Sequence, residues 1–181
     1  MIRFFIIFIV LQAVLFGAEL TPWAQQYFVG PWTNTLAAVS AWLVTVIDPN
    51  VAAVGKVIRS TVNGFAVSIE AGCNGVEATI VLVAAIFAFP ASWGDRIKGF
   101  AAGVIAVQGL NIVRVISLFY LGQWSMQVFE WAHLYVWQAL IMLDVLVVWL
   151  VWVRLLPRDG GNGPRPGGPP EGSRAPAPVS A

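Results

Sequence analysis

The sequence predicts an all-α integral membrane protein: a bundle of four to five transmembrane helices, a short β-hairpin-like outer segment and a disordered C-terminal tail. Three observations carry this. Hydrophobic residues make up 59% of the 181 and charged residues 10%, against roughly 25% charged in a soluble domain, and the mean hydropathy is +0.79. Long apolar runs recur between short polar or aromatic stretches. After residue 156 the composition turns to Gly, Pro, Ser and Arg, which cannot bury enough apolar surface to offset the entropy of ordering. The division is therefore 1–156 as one membrane domain and 157–181 as tail. A net charge of +1 offers nothing to nucleic acid. One cysteine and one histidine exclude an internal disulfide and the usual metal cages, so no metal or cofactor is expected.

The first expected span is 2–18, opened by Arg3 and closed by Glu19. A signal peptide is the competing reading, but no Ala-x-Ala-like cleavage site follows. The aromatic stretch through Pro22, Trp23, Tyr27, Pro31 and Trp32 suits the headgroup level. Residues 33–47 form a short amphipathic helix, read as lying in the interface, with an extra span as the alternative. The alternation of Val57, Arg59 and Thr61, then Phe65, Val67 and Ile69, about Asn63-Gly64 is the signal of a type I′ hairpin. Spans 75–90, 99–121 and 133–156 follow, joined by a polar loop over 91–98 and a short loop over 122–131.

Charge sets the orientation. Arg96 and Lys98 mark one short loop as cytoplasmic, and Arg3, Arg154, Arg158, Arg165 and Arg174 put both termini on that side, as the positive-inside rule requires. Only Lys56 and Arg59 remain in an outer loop. Three singular side chains then converge at the outer end. Cys73, the only cysteine, sits in the polar knot Glu70-Ala71-Gly72-Cys73-Asn74-Gly75-Val76-Glu77 before the second span. Arg114 is the only charge inside the third span, about two turns from its outer end. His133, the only histidine, opens the fourth.

A thiol attacks as the thiolate, favoured by a nearby cation. His133 can take its proton and return it to a leaving amine. Arg114, too basic to act as a base, would stabilise the thiolate or an oxyanion. Together they suggest amide cleavage or transpeptidation. Glu70, Asn74, Glu77 and Asn111 are supporting candidates, Gln108 a helix-packing group, and Asp144 a packing partner.

These residues also carry a resemblance. Cys73-Asn74-Gly75 ahead of an apolar span, Asn111-x-x-Arg114 late in the next and His133 opening the last resemble the exosortase and archaeosortase family of membrane cysteine transpeptidases, from about Val51 to Leu156. The short chain looks more like the compact exosortase H subgroup than the longer members. The resemblance implies an enzyme of the bacterial inner membrane that acts on exported proteins bearing a C-terminal sorting signal: a short motif, a transmembrane helix and a basic cluster. It implies cleavage near the motif at the outer face and transfer of the acyl group to an acceptor. By position, Cys73 would be the nucleophile, Arg114 the oxyanion or thiolate stabiliser and His133 the acid/base. Asn74 departs from the Ser or Thr often found after the cysteine.

Two other readings remain open. In a scaffold or assembly factor, Cys73 packs and Arg114 pairs with Glu77 or Glu70. In a small transporter subunit, Glu77, Gln108, Asn111 and Arg114 line a path, although no internal repeat or pair of broken helices supports it.

Overall fold

The structure, a computed structural model, describes residues 2–157; the expected disordered tail lies outside that range. The chain is a helical membrane protein. Helix α1 spans Ile2–Glu19, α2 Pro22–Ala24, α3 Gly30–Thr45, α4 Val76–Ala88, α5 Trp93–Trp124, α6 Met126–Trp131 and α7 Trp137–Leu155. Among the described residues, Ile2–Glu19, Trp93–Trp124 and Met126–Leu155 are long and apolar enough to cross a membrane. Helix α4, at the place of expected span 75–90, has 13 residues, short of the roughly 20 a crossing needs. It stops because Pro90 forces Phe89 into an extended conformation, φ −74° and ψ 137°.

Two expected loops are largely helical. Ser92 caps α5: its hydroxyl accepts from Asp95 N at 3.2 Å and donates to the Asp95 carboxylate at 2.7 Å. The helix therefore starts at Trp93, inside the expected 91–98 loop. Arg96 steadies the turn from α4, donating to Phe89 O at 3.1 Å and lying over the Trp93 ring at 5.1 Å. In the expected loop 122–131 only Ser125 leaves the helix, φ −160° and ψ 120°, with its hydroxyl capping α6. Helices α6 and α7 are continuous through a π turn at Ala132–Val136, and a second π turn, Gln25–Val29, joins α2 to α3.

The outer segment is a three-stranded antiparallel sheet of order β1-β2-β3: Val51–Val54, Val57–Ser60 and Ala66–Ser68. Strand β1 was not expected. Gly55 turns it into β2 with φ +57°. The Asn63-Gly64 pair does sit between β2 and β3, but not as a type I′ turn, which needs left-handed φ at both residues. Only Gly64 has it, at +74°. Asn63 instead accepts from Phe65 N at 2.9 Å and donates to Gln123 Oε1 at 2.8 Å, which tethers a wider loop to α5.

Packing divides at the level of Cys73. Below it, α4, α5 and α7 share a core of Ala78, Leu82, Ile86, Val107, Ile141, Val145 and Trp152. Above it, Leu36, Ala37, Ala41 and Val44 of α3 cluster with Val51 and Ile58 of the sheet and Val115 and Phe119 of α5. Between them, Val29 packs with Val76 and Ile80 and against Leu15 and Phe16 of α1. Helix α3 thus keeps to the end of the bundle where α1 stops and α4 starts.

Close approach of α5 to its neighbours depends on glycine. A Cβ on Gly99 would stand 2.3 Å from Trp152 Nε1, whereas one on Gly109 meets nothing within 4 Å. Gly99→Ala should lower stability by about 1–3 kcal/mol through overpacking. Gly109→Ala should raise it by up to about 1 kcal/mol through helix propensity. Thermal melting of the two variants in detergent checks the opposite signs.

Candidate active site

The nucleophile candidate lies on a loop whose backbone is held rather than free. Gly72 and Gly75 adopt left-handed φ of +81° and +73°, so the chain folds sharply on either side of Cys73 before α4 begins. Each carbonyl from 72 to 75 accepts a hydrogen bond from a side chain distant in sequence. Arg114 Nη1 donates to Gly72 O at 3.1 Å, Asn111 Nδ2 to Cys73 O at 3.2 Å, Trp32 Nε1 to Asn74 O at 3.2 Å and Gln108 Nε2 to Gly75 O at 3.1 Å. Three of these donors, at 108, 111 and 114, are spaced by three along α5 and so share one face.

Asn74 is almost fully buried and acts as a local cap. Its Oδ1 accepts from Val76 N at 3.0 Å, and its Nδ2 donates to Thr33 Oγ1 at 3.2 Å. The amide serves these two contacts with separate atoms, which a single hydroxyl oxygen would have to share. Glu77 reaches back across the turn, its Oε1 accepting from Gly72 N at 2.6 Å.

The three singular side chains meet. Cys73 Sγ lies 3.0 Å from His133 Nε2, and Arg114 Nη2 donates to the same sulfur at 3.4 Å. His133 is set by the π turn, which widens the helix and re-aims the side chains beyond it, and its ring stacks on Phe129 at 5.6 Å and 21°. Contrary to the expected helix mouth, His133 stands seven residues inside the helix that opens at Met126. Arg114 lies ten residues before the end of α5 at Trp124, about 15 Å down. The two depths agree because the helices are antiparallel, and the site is recessed below their ends.

Arg114 is 2% exposed, and it pairs with neither Glu77 nor Glu70. The one ion pair among the described residues joins Lys56 to Glu70. Lys56 and then Ser68 hold the Glu70 carboxyl below its ordinary range. The buried guanidinium instead spends its donors on a carbonyl and a thiol, and its Nε has no partner. An isolated buried cation is costly, and it is best compensated here when the sulfur is a thiolate.

Two cavities flank this centre. One of about 90 Å³ is lined by Val67, Ser68, Ile69 and Glu70 opposite Cys73 and His133, with Arg114 in its wall. Another of about 200 Å³ lies on the far side of the loop, with Glu77, Gln138 and again Arg114. Of the residues singled out in the sequence, Cys73, Arg114 and His133 touch. Asn74, Asn111 and Glu77 hold the loop, and Glu70 stands at the rim of the smaller cavity. Trp32, Thr33 and Phe129 were missed. Trp32 reads as one more interfacial aromatic, and nothing local marks its indole as a partner of residue 74. Asp144 Oδ2 is buried without a hydrogen-bond partner.

Burial pushes the Cys73 thiol up from its ordinary value; Arg114 opposes this, while Glu77 and then Glu70 add to it. A raised value means that the thiolate appears only as pH climbs above the usual thiol range. Alkylation of Cys73 by iodoacetamide should accordingly be slow at neutral pH and rise through an elevated midpoint. Arg114→Met should move that midpoint upward and Glu77→Gln downward, read from alkylation rates across a pH series.

The family model described as transmembrane exosortase matches residues 2–153. No curated protein matches the chain. No solved structure matches it either. The family carries, in general terms, a membrane transpeptidase-like or protease-like role of the cysteine type. With the match running from α1 almost to the end of α7, the protein belongs to the transmembrane exosortase family.

Proposed function

We propose that the protein is a membrane cysteine transpeptidase or protease that cuts C-terminal sorting signals from exported proteins at the outer face of the inner membrane. The observation that carries this is one sulfur with two partners: an imidazole nitrogen at 3.0 Å and a buried guanidinium at 3.4 Å that has no acid.

The chemistry follows from those contacts. The thiol rests protonated, so a base is needed at the moment of attack. His133 Nε2, unprotonated in the working tautomer, takes the proton as Sγ bonds to the scissile carbonyl carbon. Arg114 stabilises the charge, first on sulfur and then on the carbonyl oxygen, in a site where low dielectric strengthens the effect. As the tetrahedral species collapses, the carbon–nitrogen bond breaks and His133 returns the proton to the leaving amine. A thioester on Cys73 remains. An incoming amine or water gives its proton to His133 and attacks the thioester; the carbon–sulfur bond breaks and His133 returns the proton to the departing sulfur.

The sheet supports an outward-facing site. Open sheet edges do not occur within the hydrocarbon of a bilayer, and β3 has one. Val115 and Phe119 pack against this sheet, so α5 leaves the hydrocarbon near the level of Arg114. At 32 residues it is about 48 Å long, longer than the roughly 30 Å apolar layer. The basic residues Arg96, Lys98 and Arg154 then mark the opposite end as cytoplasmic. Helix α3, confined to the Cys73 end, fits the interface.

The test is processing in cells of a tagged exported protein with a C-terminal sorting helix. Cys73→Ala, Cys73→Ser and Arg114→Ala should accumulate uncut precursor at wild-type membrane abundance. His133→Ala should slow processing by about 10²–10⁴-fold, the usual weight of a general acid/base. Processing by Cys73→Ala would remove the acyl-transfer mechanism.

A further inference from the structure

We propose that the free edge of β3 is a docking strand, on which the extended segment of the substrate polypeptide adds to the sheet as a fourth strand and presents its peptide bond to Cys73. This rests on the acyl-transfer reading of the Cys73 site and names how that site takes hold of its substrate.

The first observation is the order of residues in the cavity wall. Val67, Ser68, Ile69 and Glu70 are consecutive, and all four line the cavity that holds Cys73, Arg114 and His133. Val67 and Ser68 end β3 and their side chains point to opposite faces, so both border this space where β3 presents its edge, and Ile69 and Glu70 continue the wall beyond the strand. The second is the hydrogen-bond parity. Ile69 N bonds to Lys56 O and Ser60 N to Phe65 O, and the register pairs Ile58 with Val67. The bonded partners therefore fall at 65, 67 and 69, and the main-chain groups of Ala66 and Ser68 point away from β2. Both residues are exposed and have small side chains. The third is the setting of the two edge strands: β1 packs against α3, whereas β3 borders the cavity that holds Cys73.

Outward N–H and C=O groups at strand spacing are matched by another extended backbone, the basis of recognition by strand addition. Such binding is largely indifferent to side chains along the strand, and it fixes the height and rotation of the bound chain. Three residues of edge suit a short motif. The connection from β3 through Glu70, Ala71 and Gly72 to Cys73 sets the distance from the docked strand to the sulfur.

The probe is a fluorescent peptide carrying the segment just ahead of a sorting helix, titrated against full-length Cys73→Ala in detergent, with each amide N-methylated in turn. Strand addition predicts alternation: binding weakens about five- to tenfold at every second position, the weight of one main-chain hydrogen bond, and is unchanged between them. In the same background Ser68→Pro, which deletes an outward donor, should weaken the parent peptide similarly, whereas Ser68→Ala should not. A wild-type iodoacetamide rate for Cys73 in Ser68→Pro shows that the site is intact, and the N-methyl scan decides alone if the proline disturbs the fold. Uniform sensitivity along the peptide, insensitivity to N-methylation or absence of binding overturns the proposal. Cleavage of the parent peptide by the wild type reports separately on acyl transfer. Alternating binding without cleavage would remove the proposed activity and leave the docking strand.

Discussion

The arrangement depends on the grip of α5 and Trp32 on four consecutive carbonyls. A loop between a sheet and a membrane helix would ordinarily leave its carbonyls to water, but here the loop is drawn under the helix ends and must be satisfied from within. Gln108, Asn111 and Arg114 do this from one helix face, and Trp32 completes the set from α3. The residues that anchor the Cys73 backbone are thus borne on the same helix as Arg114, so the sulfur and the guanidinium cannot drift apart independently. Gly75 is required twice over: its φ is +73°, and a Cβ there would stand 2.8 Å from Gln108 Oε1.

The electrostatic logic turns on an imbalance. Burial resists ionisation of Cys73, and two carboxylates add to that resistance, while a single buried cation favours it. A site that neutralised Arg114 with a carboxylate would leave nothing to favour a thiolate or an oxyanion. The two nearby acids are engaged elsewhere, Glu77 on Gly72 N and Glu70 on Lys56 and Ser68. Their bonds withhold them from the guanidinium, and this keeps the site from becoming a structural ion pair.

Much of the constellation was legible because it rested on singular residues and on topology. One cysteine, one intramembrane arginine and one histidine, placed by counting spans and basic loops, converge in space as expected. What escaped was local or cooperative. Ser92 and Ser125 are single-residue caps that converted expected loops into helix. The π turn that aims His133 leaves no mark in an apolar pattern with helical periodicity. Strand β1 is too short and too weakly alternating to announce itself, and it forms because β2 and α3 cover it. The Asn63-Gly64 signal found the right place but the wrong turn, since Asn63 gains more from bonding Phe65 N and Gln123 than from adopting a left-handed backbone. The supporting residues were named, but their role as holders of a backbone emerges only when distant helices meet.

Burial of the thiol has one more consequence, which concerns the lifetime of the protein rather than its chemistry. Thiolate, not thiol, reacts with peroxides on the way to sulfenic and then irreversible sulfinic and sulfonic acids. A half-buried sulfur whose ionisation its surroundings oppose should oxidise more slowly than a free thiolate. With a single cysteine in the chain, no neighbouring thiol within the protein could rescue a sulfenic acid as a disulfide. The desolvation that delays ionisation therefore also acts as a preservative for a residue the chain cannot replace.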